Sequence, residues 1–206
     1  MIRRLFLIAL SSAALALPLA SRATDTTEVA GVKFDNVVQV GSAKVPLNGA
    51  GVRYKAIFKV YAAALYVGQK ATTTDAVLAS TGSRRMHIVM LRDIDANELG
   101  KLFTKGMEQN SSREEFSKVI PGVIKMSDIF SQRRKLATGE FFTIDYVPGV
   151  GSTILVMGKP AADPIKEPEF FNALMKIWLG SMPADAQLKD ALLGLKAGGG
   201  AREQLN

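Results

Sequence analysis

Residues 52–67 show the clearest alternation in the chain. Val52, Tyr54, Ala56, Phe58, Val60, Ala62, Ala64 and Tyr66 are all apolar or aromatic, while the odd positions open with Arg53, Lys55, Ile57, Lys59 and Tyr61. Period-two patterning of this kind predicts β-strand with one buried face. The segment is far longer than an average strand of about five or six residues, so it must bend or turn once. No Gly, Pro or Asn marks the place. Residues 28–45 alternate loosely between breaks at Gly31, Gly41 and Pro46, which predicts one or two short strands, and "LNGAG" at 47–51 reads as a turn. "RMHIVMLR" at 85–92 is a further strand.

Helical spacing then takes over. Asp95 is an N-cap with Glu98 three places on, and Leu99, Leu102, Phe103 and Met107 follow at helical intervals. A second helix starts at Ser112 with Glu115 as its capping partner; Pro121-Gly122 should kink or break it, and Gly139 ends the helical region. "EFFTIDYV", Pro148-Gly149 and "STILVM" form a hairpin. After a loop at 164–168, a helix over 169–179 carries Phe170, Phe171, Leu174, Ile177 and Trp178 on one stripe. A short last helix has Pro183 in its first turn and Gly194 at its end. Strands and helices come in blocks rather than in strict alternation. That excludes a doubly wound parallel sheet and predicts an α+β fold, an antiparallel sheet with helices against one side.

The first 23 residues stand apart. Two arginines precede an apolar run from Leu5 to about Ala20, and Ser21-Arg22-Ala23 supplies small residues at a cleavage site. This is the layout of a secretory signal peptide, and it predicts a periplasmic protein; the rival reading is an uncleaved anchor. The expected organisation is a signal peptide at 1–23, one domain at 24–196 and a flexible tail at 197–206. No later stretch is apolar and long enough to span a bilayer, so no integral membrane segment is expected once the leader is removed. The chain has 26 basic and 19 acidic residues; without Arg3, Arg4 and Arg22 the basic count is 23 and the net charge +4. That balance is mild. Arg84-Arg85 and Arg133-Arg134-Lys135 lack interleaved aromatics and read as solvated surface, so no nucleic-acid partner is expected.

Candidate chemistry is sparse. The chain has no cysteine and a single histidine, His87, on an apolar strand, so neither a metal site nor a catalytic triad can be assembled. "GAGVR" and "GVGST" lack the spacing of a nucleotide loop, and no cofactor is expected. Asp93, Asp95, Glu114 and Glu115 sit where helix starts favour anions. Arg53 remains. A guanidinium in an apolar cleft would grip a carboxylate or an enolate with two parallel hydrogen bonds. Tyr61 shares its parity and could add a hydroxyl, but only if the chain bends between them. The competing reading is a solvated strand-end arginine.

"LNGAGVRYKAIFKVYAAALYV" resembles the signature of the chalcone isomerase-like family, in particular an exported bacterial branch. "FFNALMKIWLGSMPADAQLKDALLG" at 170–194 resembles the C-terminal signature of that branch, and "EVAGVKFDNVVQVGSAKVPLNG" its opening. The resemblance implies an open-faced β-sandwich: a large antiparallel sheet covered by helices on one side, with a ligand cleft between. It also implies that Arg53 matches the family's cleft arginine, which steadies an enolate in true chalcone isomerases and holds a carboxylate in fatty-acid-binding relatives. The family's catalytic threonine falls on Tyr61, and its helical tyrosine and asparagine fall near Leu99 and Gly106. Most of the isomerase's polar constellation is therefore absent. Three readings follow. The first is an exported protein binding a small apolar carboxylate such as a fatty acid, with Arg53 as clamp and Tyr61 as auxiliary donor. The second is an isomerase, an intramolecular lyase in which Arg53 would be the catalytic residue. The third is a structural or interaction protein of the envelope. Oligomeric state is open in all three.

Overall fold

In the computed structural model, which describes residues 25–195, the alternating segments become an antiparallel sheet. The strands are β1 (Thr26–Val29), β2 (Val32–Asp35), β3 (Val37–Val40), β4 (Ala43–Lys55), β5 (Phe58–Tyr66), β6 (Arg84–Met90), β7 (Ile94–Asp95), β8 (Lys135–Leu136), β9 (Phe141–Val147), β10 (Gly151–Val156) and β11 (Lys159–Pro160). Seven of them form the main sheet in the order β11-β10-β9-β6-β5-β4-β3, and β1-β2 and β7-β8 are separate pairs. The helices are α1 (Thr74–Leu78), α2 (Ala96–Gln109), α3 (Arg113–Ser131), α4 (Phe170–Leu179) and α5 (Ala186–Leu192). The expected α+β class and open-faced sandwich are what the chain adopts, with the helices on one side of a large antiparallel sheet.

The helix-side core takes Tyr61, Ala63 and Leu65 from β5, Met86, Ile88 and Met90 from β6, and Phe142 and Ile144 from β9. Against them lie Phe103 and Met107 of α2, Phe130 of α3, and nearly all of α4. The predicted stripe on α4 is thus an understatement: this helix is buried almost all round, as befits a central helix. The other face of the sheet carries a smaller core in which Val29 and Phe34 of the β1–β2 hairpin cover Ala62, Ala64 and Tyr66. β5 is therefore buried on both faces, not on the even-numbered face alone, and its runs of alanine fit that sandwiching.

Several local expectations change. The predicted turn at 47–51 is the middle of β4, which runs unbroken through both glycines. They are there because α5 lies against the strand: a Cβ on Gly49 would sit 2.1 Å from the Ala191 carbonyl oxygen, and one on Gly51 would sit 2.6 Å from the Ala191 Cβ. The bend in residues 52–67 is a two-residue hairpin turn at Ala56-Ile57, with Ala56 at φ 54°. Residues 28–45 hold more strand than expected: the second half of β1, all of β2 and β3, and the start of β4. α3 continues through Pro121 without a break, and Gly122 lets α4 approach: a Cβ there would lie 2.5 Å from the Phe170 ring. That helix ends at Ser131, well before Gly139, which instead adopts φ 85° ahead of β9. Asp185, not Pro183, starts α5, accepting from the Gln187 and Leu188 amides. α1, only five residues long, has no pattern long enough to predict it. Arg84 and Arg85 are not solvated: the first is 3% exposed and the second is half-buried against Asp145. Both the leader and the tail fall outside the described residues.

Candidate functional site

The hairpin turn at Ala56-Ile57 brings Arg53 and Tyr61 directly opposite each other across β4 and β5. Directly opposed residues share a face of the sheet, here the helix-packed one. A β-bulge follows at once, because Tyr54 pairs with Lys59 and leaves Val60 unpaired across the ladder. Bulges re-aim side chains next to them. The eight residues that would separate Arg53 from Tyr61 in a straight strand are thus folded away.

Tyr61 is buried, and its hydroxyl oxygen accepts a hydrogen bond from the Trp178 indole N–H at 2.9 Å. Trp178 is fully buried on α4, and its ring meets that of Phe103 edge-on at 5.3 Å. Burial pushes the Tyr61 phenol up to about 12, against the opposing pull of the Trp178 bond and the nearby Arg53 charge. Tyr61 is therefore a neutral phenol at any ordinary pH.

Arg53 sits nearer the surface, with its side chain 22% exposed. Its Nη1 lies 3.8 Å from the Asp185 carboxylate, a long and single contact, not a parallel fork. Asp185 is heavily committed elsewhere. One carboxylate oxygen accepts from the Tyr54 amide at 2.9 Å, and the other from Gln187 and Leu188 at the start of α5. The arrangement is a cation at the lip of an apolar core, balanced by one weakly engaged carboxylate. Behind it the core is filled, by Met90 directly across from Tyr61 and by Trp178 and Phe103 beyond. Two surface hollows of about 500 Å³ lie elsewhere, one beside Lys70 and Ala79 and the other between α2 and α3 beside Thr104 and Ser127; neither is lined by Arg53 or Tyr61.

The two expected site residues thus meet. Asp185 and Trp178 join them, and neither was singled out from the sequence as a partner. The pairing of Asp185 with Arg53 spans 132 positions and has no local trace. Leu99 and Gly106, where the isomerase's helical tyrosine and asparagine would fall, are buried packing on α2 and a glycine against Ile177. His87 lies on the opposite face, between the rings of Phe34 and Phe141. No cluster of metal-ligating residues occurs among the described residues.

A large antiparallel sheet with helices packed on one face is the open-faced β-sandwich class to which chalcone isomerases give their name. The sequence profile of the chalcone isomerase-like family matches residues 26–194, and the chain belongs to that family. Among solved structures, a fatty-acid binding protein of Arabidopsis thaliana superimposes with a TM-score of 0.65 at 12% identity, over 82% of this chain and 96% of that one. No curated protein matches in sequence.

Proposed function

We propose that the protein is a non-catalytic, exported member of the family that binds a small apolar carboxylate such as a fatty acid, with Arg53 as the anion clamp and Tyr61 as a second donor. The observation that carries this is the electrostatics of Arg53. Its one counter-ion among the described residues stands 3.8 Å away and has other hydrogen bonds to keep it in place when a ligand carboxylate arrives. The neighbouring fold is that of a protein named for fatty-acid binding. Burial keeps Tyr61 a neutral phenol, a form that can donate a hydrogen bond to a ligand carboxylate. Space for an apolar tail must come from rearrangement of the core, and that core is rich in methionine: Met86, Met90, Met107, Met126 and Met175 are all buried. Unbranched thioethers repack more readily than branched aliphatics. The leader at 1–23 supports export to the periplasm.

Solvent extraction of the purified protein followed by mass spectrometry should release a carboxylic acid, and added fatty acid should bind the emptied protein. Arg53→Ala should weaken that binding roughly tenfold or more, the scale of a charge-assisted hydrogen bond. Asp185→Asn keeps the helix cap but removes the competing charge, and should tighten it. No binding, or equal binding by wild type and Arg53→Ala, refutes the proposal.

A specific observation favours a second reading, a structural protein of the envelope: Trp178 and Met90 fill the space behind Arg53. A protein that never yields or takes up ligand, yet loses stability in Trp178→Ala, would support it.

A further inference from the structure

The turn that brings Arg53 to Tyr61 also holds two large apolar side chains in solvent. Ile57 is 75% exposed and Phe58 55%. Both belong to the tip of the β4–β5 hairpin, and exposed Lys55 and Lys59 flank them. Arg92, just past the end of β6, places its guanidinium 5.0 Å from the centre of the Phe58 ring. Strand register gathers more charge at this end of the sheet. β5 starts where β6 ends, with Tyr61 opposite Met90, and the Ala96 amide just beyond β6 donates to the carbonyl of Arg134, which is itself exposed. Lys55, Lys59, Arg92 and Arg134 take part in none of the ion pairs among the described residues. The carboxylates nearby are already engaged: Asp93 with Lys135, Glu140 with Arg133, and Asp185 with the Tyr54 amide and the start of α5.

We propose that this end of the sheet docks on an anionic lipid surface, with Ile57 and Phe58 entering the boundary between headgroups and acyl chains and the surrounding cations meeting lipid phosphates. The pairing of features selects the partner. A nucleic acid would use the cations but would gain little from an aliphatic tip. An apolar groove on a protein would accept the tip but not several uncompensated cations around it. An anionic bilayer accepts both at once, because apolar insertion and surface potential act at the same depth. The docking does not depend on what Arg53 binds.

The test is sedimentation with vesicles of phosphatidylcholine containing about a third phosphatidylglycerol, against phosphatidylcholine alone. The wild-type chain should bind the anionic vesicles, and less so as salt is raised. The double variant Ile57→Ser, Phe58→Ser should lower the partition coefficient roughly tenfold or more while leaving the melting temperature in place, since both side chains are exposed. The triple variant Lys55→Gln, Lys59→Gln, Arg92→Gln should lose most of the salt dependence. The comparison between variants decides, because an uncleaved apolar run at 5–20 would hold a vesicle by itself. Absence of binding to anionic vesicles overturns the proposal, and so does equal binding by wild type and either variant. A self-association of the wild type that the Ile57→Ser, Phe58→Ser variant abolishes assigns the tip to a second copy of the chain and overturns it too.

Discussion

Arg84 and Arg85 are neighbours on β6 and point to opposite faces of the sheet, as strand geometry requires. Arg85 meets Asp145 with two parallel bonds of 2.6 and 2.5 Å. No carboxylate among the described residues pairs with Arg84; its guanidinium lies between the rings of Tyr146 at 4.5 Å and Phe171 at 4.7 Å and donates to Asn172 Oδ1. Delocalised charge and weak hydration suit arginine, not lysine, to that slot. His87 occupies the hairpin side of the same strand, where burial, and then the Arg85 charge, push its imidazole down to about 4. The unfolded chain, with a histidine near its ordinary 6.5, takes up a proton before the folded one does. Stability should therefore fall as pH drops from about 6.5 towards 4, by at most about 3 kcal/mol in total. Replacing His87 with Gln should flatten the urea-midpoint profile across that window, and an unchanged profile would show that other groups set it.

β4 is the element whose sequence most misleads. Asn48, Gly49 and Gly51 have the composition of a turn, yet each serves the seating of α5. Asn48 sits in a bulge between Leu47 and Gly49 and is buried. Its amide donates to the carbonyls of Ala71 and Leu192 at 2.8 Å each, and its oxygen accepts from the Ala71 amide. Gly49 leaves room for the α5 backbone above it. Gly49→Ala should cost about 1–3 kcal/mol by overpacking, because the obstructing atoms are backbone carbonyls that cannot swing aside. A denaturant titration that finds the variant as stable as the wild type would mean α5 can lift from the strand at little cost. The same logic governs α3: Pro121 and Gly122 together look like a break, but tertiary packing holds the helix through the proline and uses the glycine for contact with Phe170.

Across the whole molecule, β5 joins two cores. From Tyr61 onward its odd residues face the helices and its even residues face the β1–β2 hairpin. A strand shared in this way should couple the two faces into one cooperative unit. Phe34→Ala, which empties the smaller core of its largest apolar side chain, should cost about 3–5 kcal/mol and shift one unfolding transition. Two separated transitions would show instead that the hairpin folds apart from the sheet. This scale also explains how far sequence could reach. The β9–β10 hairpin, the capping box at Ser112 and Glu115, and the cap at Asp95 rest on residues close in the chain, and each was legible there.

The blocks of strands and helices and the α+β class were determined by the sequence itself, because periodicity and capping are local properties of a chain. Only the tertiary structure decided that Ala56-Ile57 is the turn, that Arg53 faces Tyr61 and leans on Asp185, and that Trp178 closes the space behind them. Those outcomes depend on strand register and on the landing of α4 and α5, where contacts between residues more than a hundred positions apart compete for the same space, and no local pattern records which of them wins.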